Sequence, residues 1–311
     1  MVGFIGNGPV QDTFGDSNVY HLGQTSKGFY PPFRPSFANY TDETATQYLL
    51  CNSPAGESSP NSIYISPDGK NVYVTGSGGD LVLHWPLTSE YNLTTAGTRT
   101  SFSVSAQTTD PYSIYFADDP NDVSTYGKKM YISTYSTDTV HTYNLTQQWD
   151  ISTASVDTSE TWVFDQDRRW IAAPTSREIK FNKDGSKMFL LETGQSLFVE
   201  CELTTKWDVS TASPVALGTY APAYDLVPSQ GFGCDLSRDG KTLYIVDFTY
   251  DKLSSLALPS AFRSGYLRPV YQTSSGLSGS SAPRSVFVSH NNQYFFIADS
   301  SGDRVERYSF G

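Results

Sequence analysis

The 311-residue sequence predicts an all-β fold: a five-bladed β-propeller closed by an N-terminal strand and preceded by an extended N-terminal arm. Three observations carry this. Five in-phase copies of a strand–turn–strand–strand unit run along the chain. Twenty-one Tyr and 18 Phe, with abundant Ser and Thr, favour strands over helices. One further strand precedes the first copy, where the last copy lacks its own fourth strand.

The first two strands of each copy are SIYISPDGKNVYVTG from Ser62, SIYFADDPNDVSTYGKKMYISTY from Ser113, EIKFNKDGSKMFLLE from Glu178, GCDLSRDGKTLYIVD from Gly233 and SVFVSHNNQYFFIAD from Ser285. Asp68-Gly69, Asp184-Gly185 and Asp239-Gly240 are turn signals, with Gly supplying a positive φ. The third strands begin at residues 80, 138, 196, 251 and 303, separated by 58, 58, 55 and 52 residues. Fourth strands follow at Thr100, Thr161, Pro214 and Arg268. The segment Ala45–Cys51 (ATQYLLC) supplies the fifth, because Tyr48 to Phe102 spans the same 54 residues as Ala216 to Val270. A lone four-stranded sheet cannot bury both faces, and radial stacking of five covers them. Residues 45–311 are therefore expected to be the propeller. Residues 1–44, rich in Gly, Pro and aromatics, are expected to form an arm and docking segment.

Composition limits function. The net charge of -11 and pI near 4.7 exclude a nucleic-acid partner, which needs a basic patch. Cys51, Cys201 and Cys234 are too few and too scattered for a disulfide frame or zinc site. No secretory signal or apolar run of about 18 residues is present, so neither export by a leader nor membrane insertion is expected. No metal, cofactor or catalytic residue is assigned. The four His do not cluster: His84 and His141 occupy adjacent register positions and face opposite sides of their blades. The acidic loop at Asp118, Asp119 and Asp122 matches no calcium-loop spacing and reads as a solvated turn. Glu178, Asp235 and Asp247 lie near inner strands, but a glycosidase needs a carboxylate pair set about a sugar pocket.

The loops between second and third strands, and those joining blades, open on the face opposite the Asp-Gly turns. They collect Tyr135, Trp170, Tyr220, Tyr224, Phe248 and Tyr250. These aromatics beside Asp and Arg are the expected face for a host-surface glycan or protein.

Two resemblances follow. PDGKNVYVTG (Pro67–Gly76), with its copies about Lys187 and Lys241, resembles the YVTN-type propeller repeat, which implies a fold and no activity. The phrase L-T-x-x-W-D-[IV]-S-T-A-S, at Leu145 and Leu203 and degraded at Leu87, resembles repeats of structural proteins of tailed bacteriophages. The fourth copy, LPSAFRSGY from Leu258, departs from it. The opening FIGNGPVQDTF is similar to the IGN-x-P beginnings of phage tail-fibre and virion-associated proteins. The resemblance implies a non-enzymatic virion protein in a tail or fibre, assembled in the host cytoplasm and part of an oligomeric assembly. Phe4, Ile5, Gly6, Asn7 and Pro9 would then dock it onto other virion proteins. A head decoration or tail-hub protein, and a glycan-degrading enzyme, are the competing readings. Within the fold, the W-D phrase is expected to be scaffold, with Trp149 and Trp207 packed over a blade edge and Asp150 and Asp208 holding the turn.

Overall fold

The computed structural model describes residues 43–52, 56–164, 176–192, 197–219, 231–258, 260–263 and 271–310, all within one unit, Pro35–Gly311. The segment holding Phe4, Ile5, Gly6, Asn7 and Pro9 lies outside the described residues.

Two short strands, β1 (Glu43–Thr44) and β2 (Gln47–Leu50), precede five four-stranded antiparallel units. The first unit is β3 (Pro60–Ile65), β4 (Asn71–Gly76), β5 (Leu81–Pro86) and β6 (Thr100–Ser103). The second is β7 (Pro111–Phe116), β8 (Lys129–Thr134), β9 (Thr139–Leu145) and β10 (Ala154–Val163). The third is β11 (Ser176–Phe181), β12 (Lys187–Glu192), β13 (Leu197–Leu203) and β14 (Ala212–Thr219). The fourth is β15 (Gly231–Leu236), β16 (Thr242–Asp247), β17 (Lys252–Ala257) and β18 (Tyr271–Ser278), with β1 added in parallel to β18. The fifth is β19 (Pro283–Val288), β20 (Tyr294–Asp299) and β21 (Arg304–Ser309), completed by β2.

These are the five blades of a propeller. The first strands touch in the cyclic order β3, β7, β11, β15, β19 and back to β3. The closure has the expected register. The N–H of Cys51 donates to the Asp303 carbonyl at 2.8 Å, as Val104 does to Asp80, Phe164 to Asp138 and Leu277 to Asp251. Middle strands such as β4, β16 and β20 are buried on both faces, because each sheet is sandwiched between two others.

The repeated phrase is a latch between blades. Each first-to-second-strand turn in blades 1 to 4 holds a Gly with positive φ: Gly69, Gly127, Gly185 and Gly240. Over each lies an aromatic ring from the segment after the third strand: Tyr91, Trp149, Trp207 and Phe262. All four aromatics are themselves left-handed, with φ between 53° and 64°. Their N–H groups donate to the glycine carbonyls at 2.7 to 3.0 Å. A Cβ on any of these glycines would collide with the ring. In blade 5 the equivalent Asn292 (φ 56°) is exposed and tolerates its side chain. Asn92, Asp150 and Asp208 cap the following 3-10 turns by accepting from Thr94, Ser152 and Ser210 N–H groups.

The fourth copy is thus a correction to the sequence reading. LPSAFRSGY loses the W-D letters but keeps the aromatic four residues after Leu258, and Phe262 covers Gly240 as Trp207 covers Gly185. The aromatic carbonyls also reach the neighbouring blade. Trp149 O accepts from Tyr73 Oη and Trp207 O from Tyr131 Oη, each at 2.6 Å. Phe262 O accepts from Lys187 Nζ at 3.2 Å, and Tyr91 O from Arg307 Nη1 at 3.1 Å.

Candidate functional site

Every first strand begins with the same irregularity in its pairing, between Pro60 and Ser62, Pro111 and Ser113, Ser176 and Glu178, Gly231 and Gly233, and Pro283 and Ser285. Such bulges re-aim side chains. Here they set Ser62, Ser113, Glu178, Gly233 and Ser285 at one level of the axis. Glu178 Oε1 in blade 3 accepts from Ser62 Oγ of blade 1 and Ser113 Oγ of blade 2, both at 2.8 Å. A blade-3 side chain that meets blade 1 must lie across the centre. Gly233 has no room for a Cβ, which would meet the Arg284 carbonyl and Ser285 Cα. At this level the axis is filled.

Two residues further along each strand come Tyr64, Tyr115, Lys180, Asp235 and Phe287. Lys180 Nζ lies 3.3 Å from Glu178 Oε1, and both side chains are buried. Burial pushes the Glu178 carboxyl above its ordinary value, and Lys180 offsets part of this. Burial alone would lower Lys180, but Glu178 together with Asp235 and Cys234 raises it above its ordinary value. Asp235 accepts from the N–H groups of Leu236 (2.8 Å) and Val288 (2.7 Å); burial raises it too.

Three residues on again, next to the Asp-Gly turns, the chain places Asp118, Lys183, Arg238 and His290 about the mouth. Asp118 is buried and accepts from Arg238 Nη1 at 3.1 Å and Tyr64 Oη at 3.3 Å. Its carboxyl is raised by burial, against the pull of Arg238. His290 is pushed down to about 2 by burial and then by Arg238, so it is neutral. The sequence reading of the Asp118, Asp119 and Asp122 loop as wholly solvated is corrected here. Asp119 and Asp122 do hold exposed turns, accepting from Asn121 and Ser124 N–H groups, whereas Asp118 turns inward to Arg238. A cavity of about 20 Å³ opens beside Arg238, with Tyr64, Tyr115, Lys183, Asp235 and Phe262 in its lining. That is room for a water or one small functional group.

Of the carboxylates weighed as sugar-cleaving groups, Asp235 lies in the lining of this cavity. Glu178 is sealed under two serines, and Asp247 caps the N–H groups of Thr249 and Tyr250. Among the described residues no group of three His, Cys, Asp or Glu is placed to hold a metal ion.

On the opposite face, Tyr135 follows β8 and Tyr250 follows β16; both are exposed. Tyr135 lies 6.1 Å from the Tyr112 ring, and Lys252 Nζ lies 5.7 Å over Tyr250. Phe248 is partly buried, 4.7 Å from Phe232 and under the Arg284 guanidinium at 4.3 Å. Arg284 was not anticipated. Its signal was its place one residue before Ser285, equivalent to Asn61, Tyr112 and Phe232. Trp170, Tyr220 and Tyr224 lie outside the described residues.

No protein-family model matches the chain, and no curated protein matches it. Among solved structures, a protein from Lactobacillus plantarum is 15% identical with a TM-score of 0.48, over 80% of this chain and 67% of its own. The β-propeller domain of Swd1 from Myceliophteria thermophila is 8% identical, with a TM-score of 0.48, over 86% of this chain and 99% of its own. The periplasmic gluconolactonase of Pseudomonas aeruginosa is 14% identical, with a TM-score of 0.45, over 80% and 66%. The chain spans 62% to 67% of the length of the bacterial structures it matches. Likeness at this level carries no argument about activity.

Proposed function

We propose that the chain is a non-enzymatic structural protein of a tailed-bacteriophage particle, a tail or fibre component. Residues 1–44 dock it onto other virion proteins through Phe4, Ile5, Gly6, Asn7 and Pro9. The propeller, residues 45–311, is displayed for contact with a host-surface glycan or protein.

The observation that carries the non-enzymatic part is the fate of Glu178. It is fully buried, and its Oε1 is held from two blades by Ser62 and Ser113. The repeated W-D phrase, which carries the resemblance to phage proteins, is itself an inter-blade latch. Both features support a body built to hold shape. Tyr135 and Tyr250 offer exposed rings with polar neighbours on the displayed face.

The test is deletion of residues 1–40, followed by measurement of incorporation into particles. Loss of incorporation, with the propeller still folded, is the expected result. Normal assembly of the truncated protein overturns the docking role. Glycan-array binding is expected to weaken in Trp170→Ala and Tyr224→Ala variants. Hydrolysis of host polysaccharide by the purified protein would replace this reading with an enzymatic one.

A further inference from the structure

The axial mouth on the Asp-Gly-turn side carries charges at two depths. The acids are inside: the side chains of Glu178 and Asp118 are 0% and 2% exposed, and Asp235 is 7% exposed. Of the cations, Lys180 is buried with these acids, whereas Lys183 is exposed and the Arg238 side chain is 25% exposed. Each deep acid already has a partner: Lys180 for Glu178, Arg238 for Asp118, and the Leu236 and Val288 N–H groups for Asp235. The turn acids on this face are tied to their own loops. Asp68 accepts from Lys70 N–H, Asp184 from Ser186 N–H and Asp239 from Lys241 N–H. Lys183 and the outer edge of Arg238 therefore stand at the rim with donors to offer a group arriving from solvent.

Beside these cations lies the small cavity, lined by the rings of Tyr64, Tyr115, Phe181, Phe262 and Phe287 and by Asp235, whose oxygens accept from the Leu236 and Val288 N–H groups. Its volume, about 20 Å³, admits one functional group and no sugar ring. A guanidinium presents five donors in a plane, and Arg238 spends one on Asp118. Planar recognition by such a fork, supported by a flexible lysine, suits a carboxylate.

We propose that this mouth is a binding site for a single carboxylate, held between Arg238 and Lys183 beside these aromatic rings. The carboxylate belongs to a small organic acid, a uronate sugar or an acidic side chain of a partner protein. The proposal stands on these residues alone and not on the particle reading.

The test is calorimetry on the full chain at low ionic strength with three probes: acetate, glucuronate and a tetraglutamate peptide. Saturable binding of at least one is expected, and which one binds most tightly names the source. Lys183→Glu is expected to weaken it at least tenfold, and Arg238→Met likewise. Lys206→Glu, an exposed lysine paired with Asp184 (2.8 Å) outside the mouth, is expected to leave it unchanged. Thermal melts check that each variant folds, and Lys183→Glu, on an exposed residue, keeps the test decisive if Arg238→Met does not. No saturable binding of any probe overturns the proposal. So does binding that Lys183→Glu leaves intact, or that Lys206→Glu weakens equally.

Discussion

The indole of Trp207 lies flat against Gly185, the two joined by a hydrogen bond from the Trp207 N–H to the Gly185 carbonyl at 3.0 Å. The glycine is left-handed at φ 67°, and the tryptophan is left-handed at φ 61°. Gly185→Ala therefore meets two penalties together, backbone strain and a collision with the ring. We expect a loss of about 2–4 kcal/mol, read from urea melts. Trp207→Ala, which empties a fully buried site, is expected to cost about 3–5 kcal/mol.

Tyr131 and Tyr244 hold the same register position in blades 2 and 4, yet their hydroxyls differ. Tyr131 Oη donates to the Trp207 carbonyl, whereas Tyr244 Oη is buried without a partner among the described residues. Tyr131→Phe should cost about 1–2 kcal/mol, because it leaves the Trp207 carbonyl only the longer bond from Lys129 Nζ at 3.4 Å. Tyr244→Phe should be neutral or stabilising. Equal losses in paired chemical melts would refute the latch as described.

On the axis, Glu178→Gln removes the counter-charge of buried Lys180. The expected loss is about 3–5 kcal/mol. Glu178→Gln combined with Lys180→Met should recover part of it, because the buried ammonium goes too while Asp235 keeps the N–H groups of Leu236 and Val288. A thermal-shift series over the two single variants and the pair checks this.

His84 provides a pH test. Burial lowers it to about 4, with Asp150 opposing slightly, while its unfolded value is near 6.5. The native state therefore binds fewer protons than the unfolded chain between these values. Its contribution is present above pH 6.5 and is lost as pH falls. At pH 5 the loss is about 2 kcal/mol relative to pH 7.5. The buried acids Glu178, Asp118 and Asp235 are raised and act in the opposite sense. The reading is therefore the difference between parent and His84→Asn: the variant's stability should fall less steeply between pH 7 and pH 5.

The propeller was legible because blade burial imposes a period on apolar residues, and a period survives substitution. The closing strand was legible for the same reason, and Cys51 meets Asp303 as Val104 meets Asp80. Phe262 was hidden because letters were read where spacing mattered: Leu258 plus four residues was the signal, since any aromatic can cover Gly240. Asp118 was hidden by its neighbours. Asp119 and Asp122 belong to a turn, but Asp118 stands five residues after Ser113, in register with Arg238 and His290. Only stacking the blades shows that these three face one another. Of the aromatic face, Tyr135 and Tyr250 are exposed, while Phe248 is claimed by Phe232 and Arg284, a pairing between distant strands that no local pattern announces.

The ring's closure also sets an order of events in time. Thr46 reaches the Arg307 carbonyl through both its N–H and its hydroxyl, across 261 residues of chain. During synthesis β2 is made well before β21 and must wait for it. Until then blade 5 has an open edge and the nascent molecule carries an unpaired strand. Folding should accordingly finish in one slow, late step governed by long-range contact, and fragments ending before β21 should aggregate more readily than the whole.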